Sequence, residues 1–269
     1  MTGALDEATR AAAARQLLDA YTTRAPIPPP TATYDDMTLD DAYAIQLLQV
    51  DELATGGRTV KGHKVGLTSA AMQRMLGVSD PDFGHLLDDF FHLEHEPIHM
   101  DRFLQPRIEP EVAFVLKAPL RGPGVTVHEA IAAVDFVLPA LEIVDSRIAD
   151  WEIGLLDTVA DNASSGAVVL GSTPTPLHEV DLRLTGCVMT RNGAVVGTGA
   201  GGAVLGSPIT SLAWLANTVG PRGVTLQPGH VVLSGSLCAM VPVAPGDTVT
   251  ARFGGLGSVT ARFATHGRN

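Results

Sequence analysis

The sequence predicts an α+β protein, a mixed sheet rolled into a barrel-like body behind a small helical region. Two observations carry this. Strand-like runs outnumber helical ones over most of the 269 residues, without the regular alternation that a parallel βαβ fold requires. The first fifty-odd residues, by contrast, read as two helices joined by prolines. With 45% hydrophobic and 17% charged residues, the chain is globular rather than disordered and can bury a substantial core.

Residues 5–21 form the first expected helix, with Leu5, Leu17, Leu18 and Tyr21 on an apolar side and alanine filling the rest. The proline cluster at 25–30 ends it. Thr38, followed by Asp40 and Asp41, caps a second helix that stops at Gly56 and Gly57. Its packing face is expected on Tyr43, Ile45, Leu47, Leu48 and Leu53. This divides the chain into a helical region, 1–57, and a body, 58–269. In the body, strands are expected at 60–67, 109–116, 136–144, 167–170, 182–190, 195–198, 230–233, 248–253 and 258–263. Asn192 and Gly193 make a hairpin turn, because that pair accepts the positive φ such turns need. Helices are few: 69–76, 126–134 and 208–219. The middle one opens with a capping box, Thr126 and Glu129.

Charge and composition exclude several functions. A formal net charge of -11 argues against non-specific nucleic-acid binding and against anionic membrane surfaces. No apolar run is long enough to span a bilayer, and the N-terminal stretch has acids among its alanines rather than a signal-peptide core. Cys187 and Cys238 cannot make a disulfide framework; they suit a reducing cytoplasm and read as small buried hydrophobes.

Three constellations can carry chemistry. Glu109 and Glu111 lie two apart at the start of an apolar strand and so share a face. Glu142 sits inside another apolar run, where an unpaired charge costs several kcal/mol, on the order of a lost ion partner. Three carboxylates without a nearby cysteine or paired histidine suit a hard cation, Mg²⁺ or Mn²⁺. The plainer alternative is a solvated strand edge with Glu109 paired to Arg107. Next, Lys64 lies in a Val/Gly/Leu strand, where burial would lower its pKa toward neutrality, and Asp82 sits in a Pro/Gly turn. The alternative is a snorkelling lysine and a turn-capping aspartate. Finally, DTVADNASSG at 157–166 offers acids, an amide and hydroxyls for a carboxylate substrate, or equally for a helix cap and loop network.

Three patterns are set aside. Gly197 to Gly202 satisfies G-x-G-x-x-G, but no acid occurs between Asp181 and Asp247 to bind a ribose, so close backbone packing is the better reading. His92, Glu94, His95, Glu96 and His99 resemble a metal tract that Pro97 breaks. There is no G-x-S-x-G elbow for a serine hydrolase.

Over nearly its whole length the chain resembles the 2-keto-4-pentenoate (2-hydroxypenta-2,4-dienoate) hydratases of the fumarylacetoacetate hydrolase superfamily. The marks are DAYAIQ at 41–46, GHKVGLTS at 62–69, LGVSDPDFGHL at 76–86, LQPRIEPEVAFVL at 104–116 and LPALEIVDSRIADW at 138–151. DTVADNASSG, PGD at 245–247 and GLGSV at 255–259 continue them. The resemblance implies the superfamily's mixed β-roll, homo-oligomeric assembly and Mg²⁺ or Mn²⁺ on Glu109, Glu111 and Glu142. It also implies Lys64 and Asp82 as acid/base groups and Ser164 as a substrate contact. The implied activity is hydration of 2-hydroxypenta-2,4-dienoate to 4-hydroxy-2-oxopentanoate in meta-cleavage aromatic catabolism. Rivals are the sister decarboxylase of 2-oxo-3-hexenedioate and a carboxylate-binding subunit without turnover. The hydratase expectation leans on 157–166, which resembles the hydratase branch and whose polar groups could hold the water, and on residues 237–241, an apolar stretch with no cation for a second carboxylate unless an arginine enters from elsewhere.

Overall fold

The computed structural model describes residues 4–70, 73–74 and 77–265. The helix expected over 69–76 falls partly on residues 71, 72, 75 and 76, which lie outside the described residues.

The N-terminal region is helical, as expected. Asp6 accepts a hydrogen bond from the Thr9 N–H and starts α1 (Glu7–Thr23). A single turn, α2 (Pro30–Thr33), leads to α3 (Leu39–Thr55), opened by a reciprocal capping box between Thr38 and Asp41. The face α3 buries differs from the expected one. Leu48 points to solvent, whereas Gln46 and Gln49 are buried beside Tyr43 and Ile45. Their amides explain it. Gln46 Nε2 donates to the carbonyls of Phe83 and Val159 at 3.0 and 2.8 Å, and Gln49 Nε2 to that of Ala160 at 2.7 Å. A glutamine that satisfies two orphan carbonyls is worth more inside than a leucine in the same place.

The body contains β1 (Val60–Gly66), β2 (Asp82–Leu87), β3 (Phe91–His92), β4 (Arg107–Leu116), α4 (Val127–Ala133), β5 (Val134–Val144), α5 (Leu155–Ala160) and β6 (Ser165–Leu170). There follow β7 (Gly186–Arg191), β8 (Ala194–Ala200), α6 (Pro208–Val219), β9 (Val231–Ser236), β10 (Val241–Pro242), β11 (Thr248–Phe253) and β12 (Gly257–Arg262). Among the described residues, eight strands make one sheet in the order β2-β1-β9-β4-β5-β6-β3, with β10 added to β4. It is mixed: β1–β9 and β3–β6 are parallel and the other pairs antiparallel. A four-stranded sheet, β12-β11-β7-β8, packs behind it.

The large sheet curls so that β2 meets the segment entering β6. Asn162 closes the seam. Its Oδ1 accepts the His85 N–H at 2.8 Å and its Nδ2 donates to the His85 carbonyl at 2.9 Å, serving β2 as a neighbouring strand would. Gly84 makes the approach possible, since a Cβ there would collide with the Asn162 carbonyl and Ser165 Oγ. The central strands are buried on both faces, which is why their sequences read as continuous apolar runs. On β4, Val112 and Phe114 enter the main core while Ala113 faces a smaller cluster with Leu138 and Ala140.

Three expectations are corrected. The strand expected over 182–190 begins only at Gly186, because Asp181 accepts from Arg183, Leu184 and Thr185 and holds 181–185 in a turn. The strand β2 and the helix α5 were not anticipated. Asp82 is therefore not in a turn; it opens β2. No described helix is long and apolar enough to cross a membrane.

Candidate metal centre and pocket

Strand alternation places the three glutamates together. Glu109 and Glu111 share the face of β4 that carries Ala113, and Glu142 is the direct cross-strand partner of Glu109 on β5. One carboxylate oxygen from each lies within 4.8 Å of the others, the one such group among the described residues. Glu111 and Glu142 are sealed from water and Glu109 is half-buried. Both Glu142 oxygens and Glu111 Oε1 lack a hydrogen-bond partner, while Glu111 Oε2 accepts the Gly235 N–H at 2.7 Å. Burial first, and then the charge of Glu142, push the Glu109 carboxyl up to about 7. The same causes raise Glu111 well above the ordinary range. Buried carboxylates with unused oxygens call for a counter-charge, and an all-oxygen donor set fits Mg²⁺ or Mn²⁺. The alternative pairing of Glu109 with Arg107 does not occur among the ion pairs of the described residues.

Lys64 points into the same space, its Nζ 3.4 Å from Glu142 Oε1 and its side chain 5% exposed. Burial alone would lower its pKa, as the sequence suggested. The charges of Glu142, Asp82, Glu109 and Glu111 outweigh burial and raise it instead, so the ammonium is held charged. Asp82 stands opposite Gly66 in the β1–β2 ladder. A Cβ at Gly66 would run into Asp82 Oδ1 and come close to Lys64 Nζ, so this glycine leaves room for both head groups. Burial raises the Asp82 carboxyl against the pull of Lys64.

The segment 157–166 divides its labour. Asp157 accepts from the Gly154 and Thr31 N–H groups, capping α5 and tying down the N-terminal region. Asp161 holds the fully buried Arg147, accepting from its backbone N–H at 3.0 Å and from its guanidinium. Then Asn162, Ala163 and Ser164 have φ of 51, 51 and 54°, three consecutive left-handed residues of which none is glycine. This turn presents Ser164 to the pocket, 3.4 Å from Thr158 Oγ1. Leu67 and Trp151, both lining the pocket, also have positive φ. Strain thus gathers around this cavity, as it does at sites whose geometry must be held.

The pocket has a volume of about 620 Å³. Lys64, Asp82, Glu109 and Ser164 line its polar side, and residues 237–240 with Val144 and Ile153 its apolar side. Four residues of the apolar stretch singled out in the sequence thus line the pocket. The stretch itself carries no cation, but an arginine does enter from elsewhere: Arg107 comes from β4 and stacks on Trp151, 4.5 Å from the ring centroid. Sequence reasoning named Arg107 only as a partner for Glu109 and passed over Trp151. The available signal was that Arg107 is two residues before Glu109 and must share its face. An open cleft of about 490 Å³ beside Ile131 and Asp181 shares no lining residue with this pocket.

The decoys resolve as packing. A Cβ on Gly199 would overlap the Leu237 carbonyl and one on Gly201 the Leu182 carbonyl, so the glycine-rich strand backs the pocket wall. In the histidine tract, His92 Nε2 pairs with Arg102 at 2.7 Å and Glu94 accepts from the Thr260 N–H at 2.8 Å. They do not converge.

A curled mixed sheet gathers three carboxylates and a lysine at its centre, a set of groups suited to a divalent metal. The family model "Fumarylacetoacetate (FAA) hydrolase C-terminal" matches residues 72–264. A 2-keto-4-pentenoate hydratase of Paraburkholderia xenovorans is 46% identical over 97% of both chains. A 2-oxo-hept-4-ene-1,7-dioate hydratase of Escherichia coli is 42% identical over 96% of this chain and 99% of its own. Among solved structures, 4-oxalocrotonate decarboxylase of Pseudomonas putida G7, complexed with magnesium and adipate, superposes with a TM-score of 0.93 at 40% identity, covering 96% of this chain and 98% of that one. The chain belongs to the fumarylacetoacetate hydrolase superfamily, within its 2-keto-4-pentenoate hydratase-like family. Hydration and decarboxylation of unsaturated 2-oxo acids are the reactions of that family.

Proposed function

We propose that the chain is a metal-dependent lyase acting on an unsaturated 2-oxo acid, with decarboxylation of 2-oxo-3-hexenedioate as its main reaction. The observation that carries the class is the cluster of Glu109, Glu111 and Glu142 with orphaned oxygens beside the buried ammonium of Lys64. The three glutamates would hold Mg²⁺ or Mn²⁺, which supplies Lewis-acid polarisation of a 2-oxo carboxylate and neutralises their charge. Lys64 contributes fixed positive charge and a proton donor beside the 2-oxo oxygen, where negative charge develops. Asp82, buried next to it, is the second proton-handling group. Ser164, fixed by the left-handed turn, orients the substrate.

In decarboxylation the bond to the tail carboxylate breaks. Its electron pair moves through the conjugated chain to the 2-oxo oxygen, carbon dioxide leaves, and one proton is taken up to give 2-hydroxypenta-2,4-dienoate. No positioned water is needed, and the apolar side of the pocket accepts the departing neutral molecule. The close likeness to a solved decarboxylase supports this reading. A second reading, hydration of 2-hydroxypenta-2,4-dienoate, is favoured by the identity with hydratases and by the paired hydroxyls of Thr158 and Ser164, which can hold a water.

The test offers each substrate separately with Mg²⁺ and follows carbon dioxide and dienoate absorbance. Carbon dioxide from the diacid is the expected result. Hydration of the pentadienoate with no decarboxylation transfers the assignment to the hydratase, and no reaction with either, metal present, removes the class.

A further inference from the structure

We infer that Arg107, braced on Trp151, is a subsite for a second carboxylate at the tail of the substrate. The inference rests on the reading above, that the glutamates mark the end of the pocket that takes the 2-oxo acid. Arg107, Glu109 and Glu111 succeed one another on one face of β4, with about 6.5–7 Å between successive members. The cation therefore lies one strand repeat beyond the nearest glutamate, a span of the same order as a six-carbon chain.

Its chemical state points to an anion. Among the described residues the Arg107 side chain makes no ion pair and no hydrogen bond, although the residue is half-buried and lines the pocket. Arg147, by contrast, is hydrogen-bonded to Asp161 and to the Ser165 carbonyl, and Lys64 is paired with Glu142. The indole ring covers one face of the guanidinium, while its in-plane N–H donors stay available in the fork geometry that matches a carboxylate.

The platform is rigid. Trp151 Nε1 donates to the Gln105 carbonyl at 3.1 Å. Asp150 and Trp151 hold φ of 55 and 57°, a conformation that bulky side chains adopt only when the surroundings impose it. Between the two charged ends the wall is hydrocarbon, from Val144, Ile153, Leu237 and Met240. A hydrocarbon span with an acid at each end matches that order of polar, apolar and cationic surface. Lys64 thus serves the 2-oxo end of the substrate, and Arg107 takes the carboxylate at the tail.

A consequence separates this role from general anchoring. If the carboxylate on Arg107 is the one lost as carbon dioxide, its pairing exists in the ground state and weakens as the charge leaves. Removing Arg107 should then raise KM for the diacid while leaving kcat unchanged or higher.

The experiment uses the full-length Mg²⁺-loaded protein and three unreactive probes measured by calorimetry: oxalate, 2-oxohexanoate and 2-oxohexanedioate. The wild type should bind 2-oxohexanedioate more tightly than 2-oxohexanoate. Arg107→Met should weaken the diacid by about 10- to 100-fold, the loss of a charge-assisted pair, and leave oxalate and 2-oxohexanoate within about threefold. Arg107→Lys should recover part of the loss, and it guards against disturbance of the Trp151 stack. Equal weakening of 2-oxohexanoate and 2-oxohexanedioate, or no tail preference in the wild type, overturns the subsite while oxalate binding leaves the metal end standing. Failure of oxalate to bind the wild type in a Mg²⁺-dependent way overturns both.

Discussion

Glu109 stands directly opposite Glu142 across the β4–β5 ladder, so two carboxylates occupy one cross-strand pair on a largely buried face. Like charges placed this way destabilise a sheet. The arrangement makes sense as a ligand set, and several measurable consequences follow from it and from the groups around it.

Divalent metal should stabilise the fold. At a hundredfold excess over Kd, Mg²⁺ is expected to add about 2.7 kcal/mol to the wild type, and Glu142→Gln should abolish the gain. Glu111→Gln removes a buried charge yet keeps an acceptor for the Gly235 N–H, so the metal-free variant should be at least as stable as the metal-free wild type. Thermal melts with Mg²⁺ and with a chelator check both. Full Mg²⁺ stabilisation of Glu142→Gln would remove Glu142 from the ligand set.

Lys64→Ala should lower turnover by about 10²–10⁴-fold, the range of a proton-transfer group, while Mg²⁺ affinity by calorimetry is largely kept. Near-wild-type turnover would assign the ammonium a purely structural role.

Asn162→Ala should destabilise the protein by about 2–4 kcal/mol in urea denaturation, because it strands the buried N–H and carbonyl of His85. It should also raise KM, since Asn162 begins the turn that carries Ser164. A loss below about 1 kcal/mol would show that the curled sheet closes without this amide.

Acid should unfold the protein earlier than carboxylates alone would dictate. His85 is buried next to His63, their rings 4.8 Å apart, and His230 lies 6.0 Å from His63 on the other side. Burial lowers His85 to about 4 and holds His63 well below the usual range. The sign follows from linkage. These rings stay neutral in the folded state, while the unfolded chain takes up protons below about 6.5, so stability is lost as pH falls from about 6.5 toward 4. Neither nitrogen of His63 has a hydrogen-bond partner, so His63→Phe should flatten this acid limb. Denaturation midpoints between pH 4 and 8 measure it; an unchanged slope in His63→Phe would exclude His63 as a contributor.

Much of this was legible before folding. The strand period placed Glu109 and Glu111 on one face and an embedded Glu142 demanded a partner, but that Glu142 joins the other two came from the family resemblance, because the β4–β5 register is not local. The capping boxes at Thr38 and Thr126 were legible from local rules. What escaped depended on contacts distant in sequence. The direction of the Lys64 shift is a competition between burial and four carboxylates from three other strands, and sequence supplies only the burial. The buried side of α3 was misread because Gln46 and Gln49 serve carbonyls more than thirty residues away. Asp82 looked like a turn residue because Pro81 and Gly84 flank it, yet Gly84 is there to let the sheet curl.

Gly199 brings the second sheet up to the pocket by main-chain contact with Leu237, and that has a bearing on how such a fold can diversify. In the wall at 237–240, Leu237 packs into the core and Cys238 lies over Gly197, which leaves Ala239 and Met240 as the less buried side chains. The glutamates belong to the middle of the other sheet, where almost any exchange would disturb a ladder. Mutation can therefore sample new tail preferences at Ala239 and Met240 with the reactive end untouched, and one scaffold can change what it accepts without relearning what it does.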